Sequence, residues 1–144
     1  MTLPRTPSQT VGPFYEIGLC RRPENELVQP DELGAVRLIG RLLDGEDTPV
    51  NDGVIELWDA RSRRWGRCGT DPDGRFSFVV AGDVPHIEAY VFARGLLRHQ
   101  LTRIYVAEEP EDALLTSLVA VQEDGALRFD IRLQGDRETV FFAV

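Results

Sequence analysis

Hydrophobic residues alternate with polar ones along several short stretches of the chain. The clearest stretch is LRFDIRL (127–133), in which every second residue from Leu127 onward is apolar and charged residues fill the other positions. Successive side chains of a strand point to opposite faces of a sheet, so this period of two predicts a strand with one buried face. RFSFVV (75–80) shows the same period.

Turn-forming residues separate these stretches, and the whole pattern predicts an all-β fold. DPDG (71–74) is the strongest turn signal, because proline presets φ and glycine accepts a positive φ. We therefore expect a mainly antiparallel β-sandwich with little helix. The segment 111–119 favours a short helix. The predicted strands are 35–43, 54–60, 75–80, 87–93, 101–107, 127–133 and 139–144.

The first 34 residues lack this alternation. They contain prolines at positions 4, 7, 13, 23 and 30, and proline inside a helix removes a hydrogen bond and clashes with the preceding turn. A long helix is therefore excluded in this region. The sequence predicts an extended N-terminal arm and polar segment over residues 1–34, followed by a β-sandwich domain over residues 35–144.

Composition narrows the class of protein. The 144 residues include 24 acidic and 16 basic side chains, and the resulting net charge of −8 argues against binding to nucleic acid or to an anionic membrane. No stretch approaches the ~20 apolar residues of a membrane span, and the N-terminus has no signal-peptide run. We expect a cytoplasmic protein in which Cys20 and Cys68 are reduced thiols.

Two histidines are candidates for chemistry. His86 and Glu88 are two positions apart on a predicted strand, so they share a face and could share a metal ion. No further ligands accompany them, and a histidine bonded to its strand neighbours is the simpler interpretation. His99 is expected in an exposed loop. The arginines around Trp65 indicate either a solvated hairpin end or a contact for an acidic partner.

Four segments resemble the intradiol ring-cleaving dioxygenases. They are TPSQTVGPF near the N-terminus, PHIEAYVFARG, GLLRHQLTRIY and the C-terminal FDIRLQGDRETVFF. The resemblance extends from Thr6 to Phe142 and is greatest to the α subunits of that family. It implies a mixed β-sandwich, in agreement with the predicted strands, and cleavage of a catechol substrate, protocatechuate, by O2.

Iron-bearing members of that family hold a non-haem Fe(III) with two tyrosinates and two histidines, the histidines in an HxH pair. The matching stretch here is His86-Ile87-Glu88, and no tyrosine lies between Trp65 and His86. Three of the four ligands are missing, so His86 and Glu88 are expected to mark a vestigial metal site. The resemblance implies that a partner β subunit, rather than this chain, holds Fe(III).

The resemblance also implies substrate-binding residues. Thr10, Gly12 and Pro13 match arm positions that line the partner's pocket, and Arg94 matches an arginine near the same pocket. A hydroxyl, a glycine that allows close approach, a stiff proline and a guanidinium for a carboxylate suit these roles. The alternatives are an arm that only clamps a dimer, and an Arg94 that pairs with a neighbouring acid.

These inferences give three hypotheses. The first is a non-metal α subunit that supplies part of the substrate pocket and an assembly surface to an iron-bearing β subunit. The second is a stand-alone β-sandwich that binds or scaffolds without catalysis. The third is a self-sufficient dioxygenase with an atypical metal site at His86 and Glu88. The segments near 20–33, 65–69 and 82–85 are shorter than in related α subunits, which leaves substrate range and assembly open.

Overall fold

A computed structural model describes residues 3–143 and confirms the all-β sandwich. Within that range two sheets dominate, and no helix has the length and apolar character needed to cross a membrane. The elements are α1 (Phe14–Leu19), β1 (Ala35–Leu43), β2 (Val54–Asp59), β3 (Arg64–Gly69), β4 (Arg75–Ala81), β5 (His86–Phe92), β6 (Gln100–Tyr105), a 3-10 helix (Ala113–Leu118), β7 (Val121–Glu123), β8 (Ala126–Arg128) and β9 (Ile131–Arg132).

The two sheets differ in strand direction. The first sheet has the order β4-β1-β8-β7, with β9 also paired to β1, and the second has the order β3-β2-β5-β6. Strand β1 runs parallel to β8 and β9, whereas the pairs of the second sheet are antiparallel. The sandwich is therefore mixed, and mainly antiparallel, as expected.

Alternating side chains from the two sheets fill the core between them. In β4 the predicted face is buried, with Phe76, Phe78 and Val80 each at most 3% exposed. Burying such a side chain contributes about 1.5–3 kcal/mol. In β5 every second residue is likewise buried, and the half-buried residues between them, from His86 to Phe92, lie on the outer face of the second sheet.

The polar segment after the arm connects the two sheets along one side. Glu24 forms a β-bridge with Arg67 of β3, and Glu26 forms one with Val79 of β4. Between these strands Leu27 places a buried side chain in the core. The segment thereby covers two outermost strands whose free edges would otherwise expose unpaired backbone groups. The division between arm and sandwich at residue 34 stays a prediction.

The predicted strand 127–133 is interrupted in the structure. Most of its apolar positions are buried as expected, but β8 ends at Arg128 and β9 begins at Ile131. At the break, Oδ1 of Asp130 accepts a hydrogen bond of 3.0 Å from the backbone N–H of Arg41 in β1. A side-chain oxygen here takes the place of a backbone carbonyl in the strand pairing. The alternation of apolar and polar residues does not predict this replacement.

Of two further predicted segments, the short helix is present and the last strand is not. Segment 111–119 contains a 3-10 helix, whose start is capped by Asp112 accepting a hydrogen bond of 2.9 Å from the N–H of Leu114. Segment 139–143 is not a strand, because it pairs with β6 through a single bridge between Leu101 and Phe142. Val144, predicted as the end of that strand, lies outside the described residues.

Strand β3 was missed by the hydrophobic pattern because arginines occupy it. The arginines of this run lie in the β2–β3 hairpin, and three of them are paired with acidic residues within the chain. The pairs are Arg61 with Asp83, Arg64 with Glu32, and Arg67 with both Glu24 and Glu56. The hairpin-end interpretation of this run therefore matches the structure.

Candidate functional site

The arm lies against the outer face of the second sheet. Helix α1 begins after Pro13, and the ring of Tyr15 packs beside Phe92 of β5 with centroids 5.6 Å apart. The carboxylate of Glu16 rests against Gly69 of β3, where a Cβ atom would overlap it. A helix this short is marginal by itself, so its position depends on these contacts with the sheet.

Thr10 of the arm is hydrogen-bonded to the residue that follows Arg94, just beyond β5. Oγ1 of Thr10 accepts a hydrogen bond of 2.7 Å from the backbone N–H of Gly95. Gly95 directly follows Arg94 and has a φ of 91°, a conformation that favours glycine. The bond therefore attaches the arm to the loop that carries Arg94.

Arg94 is exposed and paired with an acid. Its Nε contacts Oδ2 of Asp52, and the side chains of Arg94 and Asp52 are 56% and 20% exposed. The pairing with a neighbouring acid, considered from the sequence, is thus present. A guanidinium has five N–H donors and one carboxylate engages at most two of them, so this pair leaves donors for a second carboxylate.

Gly12 and Pro13 lie on the exposed surface of the arm. The carbonyl of Gly12 accepts a hydrogen bond of 3.1 Å from the N–H of Tyr15, which turns the chain into α1. No atom lies within 4 Å of the position that a Cβ on Gly12 would occupy. Within the described residues nothing requires glycine at this position for packing.

A cleft separates the arm from the loop after β5. Its volume is about 410 Å³. The ring of His99 lies 5.4 Å from that of Phe92 and 5.8 Å from that of Tyr90, measured between centroids. His99 is therefore half-buried in an aromatic cluster rather than free in an exposed loop. The side chains that line the cleft include Gln9, Val11, Tyr15, Phe92, Leu97 and His99.

Large apolar side chains of the arm and of the loop after β5 are exposed to solvent. Phe14 is 78% exposed, and Ile17, one turn further along α1, is 59% exposed. Leu97, in the loop after β5, and Leu3, at the start of the described arm, are also exposed. Exposed apolar patches are typical of surfaces that another protein covers, and these side chains are candidates for such a patch.

His86 and Glu88 occupy the opposite end of β5. At about 3.3 Å per residue, the two ends of this strand are roughly 20 Å apart. The ring of His86 lies 5.6 Å from that of Tyr105, its neighbour on β6. Oε2 of Glu88 accepts a hydrogen bond of 3.1 Å from the hydroxyl of Tyr90. His86 and Glu88 thus lie at the end of β5 that is distant from Thr10 and Arg94.

The chemistry at this end does not fit a ferric ion held by tyrosinates. Burial, together with the hydrogen bond to Glu88 and its negative charge, raises the pKa of Tyr90 above its usual value. The Tyr90 hydroxyl is a hydrogen-bond donor to Glu88 and keeps its proton in this arrangement. At the other end of the strand, beside Phe92, burial likewise raises the pKa of Tyr15. Within residues 3–143 no group of three or more His, Cys, Asp or Glu side chains could hold a metal ion.

Both cysteines are free thiols in the structure. Cys20 ends helix α1, and Cys68 lies in β3 beside the core. Burial is the main cause that raises the pKa of Cys20 to about 11, and burial also raises the pKa of Cys68. Neither thiol therefore has the lowered pKa of a reactive nucleophile.

Sequence reasoning missed several residues that build the site. Asp52 reads as part of the turn NDG, and Tyr15, Phe92 and His99 read as unrelated aromatic positions. Their proximity arises from strand pairing and from the docking of the arm. The pairing register of β2 with β5 is the signal that would have connected Asp52 to Arg94.

Comparison with known proteins places this geometry in a family. The chain is 32% identical to the protocatechuate 3,4-dioxygenase alpha chain of Burkholderia cepacia, over an alignment of 196 residues that covers 99% of each chain. Because the alignment is longer than the 144 residues here, the relative has additional residues within it. No protein-family model matches the chain.

Solved structures show the same fold at low identity. The dioxygenase domain of a carbohydrate-binding fusion protein from Streptomyces sp. SirexAA-E has a TM-score of 0.58 and 20% identity, covering 90% of this chain and 98% of that domain. Hydroxyquinol 1,2-dioxygenase from Pseudomonas putida DLL-E4 has a TM-score of 0.57 and 18% identity, covering 88% and 65%.

The fold is thus that of the intradiol ring-cleaving dioxygenases. Within that class, the chain belongs to the family of protocatechuate 3,4-dioxygenase alpha chains. The resemblance found in the sequence is confirmed.

Proposed function

We propose that this chain is a non-metal α subunit that completes the substrate pocket of an iron-bearing β subunit. The assembled enzyme cleaves protocatechuate with O2 to 3-carboxy-cis,cis-muconate, both oxygen atoms entering the product. Fe(III) belongs to the partner in this proposal, since the tyrosines and the His86–Glu88 pair of this chain do not fit it. This chain positions the substrate and contributes no redox step.

The observation that carries the proposal is the hydrogen bond between Thr10 and Gly95. It places the arm beside the exposed guanidinium of Arg94. Phe14 of helix α1 and Leu97 of the loop after β5 are also exposed. Apolar side chains suit docking of a partner, and a guanidinium suits the planar carboxylate of protocatechuate. Gly12 and Pro13 form the adjoining exposed surface, which can face a bound aromatic ring.

The role of each group follows from its chemistry. The carboxylate of protocatechuate carries one negative charge away from the two ring hydroxyls, so a cation at the pocket wall orients the ring. Correct orientation of reacting groups lowers the barrier without any covalent contribution from this chain. Arg94 is expected to act mainly on substrate binding, and the loss of its charge should therefore appear in KM rather than in iron content.

The test is the substitution Arg94→Ala in the enzyme assembled by co-expression with an iron-bearing member of the family. We expect KM for protocatechuate to rise roughly tenfold or more, because a charge-assisted hydrogen bond contributes about 1.5–3 kcal/mol. Iron content should not change. KM for catechol, which lacks the carboxylate, should change little.

Two outcomes would contradict the proposal. A chain that never associates with an iron-bearing partner favours the stand-alone scaffold. Tightly bound iron in the chain purified alone, with catechol cleavage, favours a self-sufficient enzyme. An unchanged KM in Arg94→Ala would remove the substrate role of this arginine.

A further inference from the structure

We propose that Asp52 is a positioning residue for Arg94. In this proposal its carboxylate holds the Nε side of the guanidinium, so that the remaining donors face the carboxylate of the substrate. The inference rests on the proposed function, because it assumes that Arg94 meets the substrate. Asp52 itself does not touch the substrate.

Strand pairing brings the two residues together. Val54 at the start of β2 pairs with Phe92 at the end of β5 in an antiparallel register. Continuing this register by two residues beyond both strands places Asp52 opposite Arg94. The ion pair between them therefore joins the turn before β2 to the loop after β5, directly beyond the last paired residues of the two strands.

The turn that carries Asp52 is anchored by a buried hydroxyl. Thr70 is 6% exposed, and its Oγ1 donates a hydrogen bond of 2.7 Å to the carbonyl of Val50. The same oxygen accepts a hydrogen bond of 3.0 Å from the N–H of Gly53, and the N–H of Thr70 donates one of 3.0 Å to the Gly53 carbonyl. These bonds fix the backbone on both sides of Asp52.

Packing further restricts this turn. Gly53 is buried, and a Cβ at this position would overlap Cδ2 of Leu42 in the core. The next residue, Val54, is fully buried at the start of β2. The carboxylate of Asp52 therefore projects from a backbone that has little freedom to move.

Arg94 needs such a support because most of its side chain is in solvent. A long exposed arginine populates many rotamers, and ordering it on binding costs conformational entropy. Asp52 contacts one side of the guanidinium, and the Thr10–Gly95 hydrogen bond restrains the backbone next to Arg94. With these two restraints the cation is ordered before substrate arrives, which favours binding.

The experiment is Asp52→Asn in the enzyme assembled with its iron-bearing partner, alone and combined with Arg94→Ala. Asparagine keeps the shape but removes the charge. We expect KM for protocatechuate to rise roughly threefold to tenfold, with kcat and iron content nearly unchanged, because the guanidinium is present but less ordered. In the Arg94→Ala background, Asp52→Asn should cause no further rise.

Asp83→Asn is the matched control. Asp83 pairs with Arg61 at 3.0 Å near the other end of β5, so the variant removes the same kind of pair away from the arm. KM should not change in this variant. If Asp52→Asn fails to assemble, Asp52→Glu keeps the charge and displaces the carboxylate by one methylene, and a smaller rise in KM is expected.

The outcomes separate this inference from the proposed function. If Arg94→Ala raises KM but neither Asp52 variant does, the positioning role is wrong and the proposed function stands. If Asp52→Asn raises KM equally in the presence and absence of Arg94, Asp52 acts through the fold and the inference is also wrong. If Arg94→Ala has no effect on KM, the substrate role of Arg94 and the positioning role of Asp52 are both wrong.

Discussion

The two ends of β5 present opposite arrangements of side chains. At the His86 end, the imidazole packs beside the ring of Tyr105 and the Glu88 carboxylate accepts a hydrogen bond from the hydroxyl of Tyr90, so both side chains contact neighbours on the same sheet. At the Phe92 end, Arg94 keeps most of its side chain in solvent, and apolar residues of the arm are exposed nearby. One strand thus leads from an end whose side chains contact neighbours on the same sheet to an end with an exposed guanidinium and exposed apolar side chains.

This difference indicates which end of β5 is better suited to bind a second protein. Satisfied polar groups gain little from a partner, whereas exposed apolar surface and unused N–H donors gain both burial and hydrogen bonds. The end of β5 that carries His86 and Glu88 is therefore the less suited to contact with a partner protein or a substrate. The arm end is the better candidate for assembly with the partner and for substrate binding.

The largest expected effect comes from placing a charge at the arm end. Phe14→Asp should weaken association with the iron-bearing partner by about 30-fold or more, because an aromatic anchor is lost and a carboxylate is buried in its place. Phe14 is 78% exposed, so the isolated chain should keep its thermal stability. Titration of the two purified chains, followed by calorimetry or by ultracentrifugation, measures the association.

Leu114→Asp is the control for that experiment. Leu114 is also 78% exposed, but it lies on the 3-10 helix, which contacts β6. Tyr105, the last residue of β6, pairs with His86, so this helix lies toward the other end of β5. Association should be unchanged in this variant. Equal weakening by both substitutions would contradict the distinction between the two ends.

A smaller effect is expected from detaching the arm. Thr10→Val removes the acceptor for the N–H of Gly95 while keeping the size of the side chain. One neutral hydrogen bond contributes about 0.5–1.5 kcal/mol, so KM for protocatechuate should rise roughly two- to tenfold in the assembled enzyme. Steady-state kinetics on protocatechuate provides the measurement.

Thr116→Val serves as its control, since Thr116 donates a comparable hydrogen bond of 2.9 Å to the Ala113 carbonyl within the 3-10 helix. KM should be unaffected there. A Thr10→Val enzyme with the KM of the parent would show that the arm does not depend on this bond.

Alternation in the sequence was sufficient to predict most strands and the buried faces of β4 and β5. It did not predict β3, because two arginines and two glycines in that strand leave no apolar alternation. Predicting the site would have required knowledge of which distant segments pair with each other. Asp52 and Arg94 are distant in sequence, and only the β2–β5 register and a buried Thr70 bring them into contact. The roles of Thr10, Gly12, Pro13 and Arg94 remain predictions from family resemblance.

The smallest effect is expected at the other end of β5. His86→Ala in the assembled enzyme should leave iron content, kcat and KM within about twofold of the parent, because the ring contacts Tyr105 and meets no set of metal ligands among residues 3–143. Loss of this aromatic contact should lower stability by about 0.5–1.5 kcal/mol, visible as a small decrease in Tm. Metal analysis and kinetics on the same preparation separate the two effects. A preparation that loses iron on this change would give the His86 end a role in metal binding and reverse the comparison between the two ends.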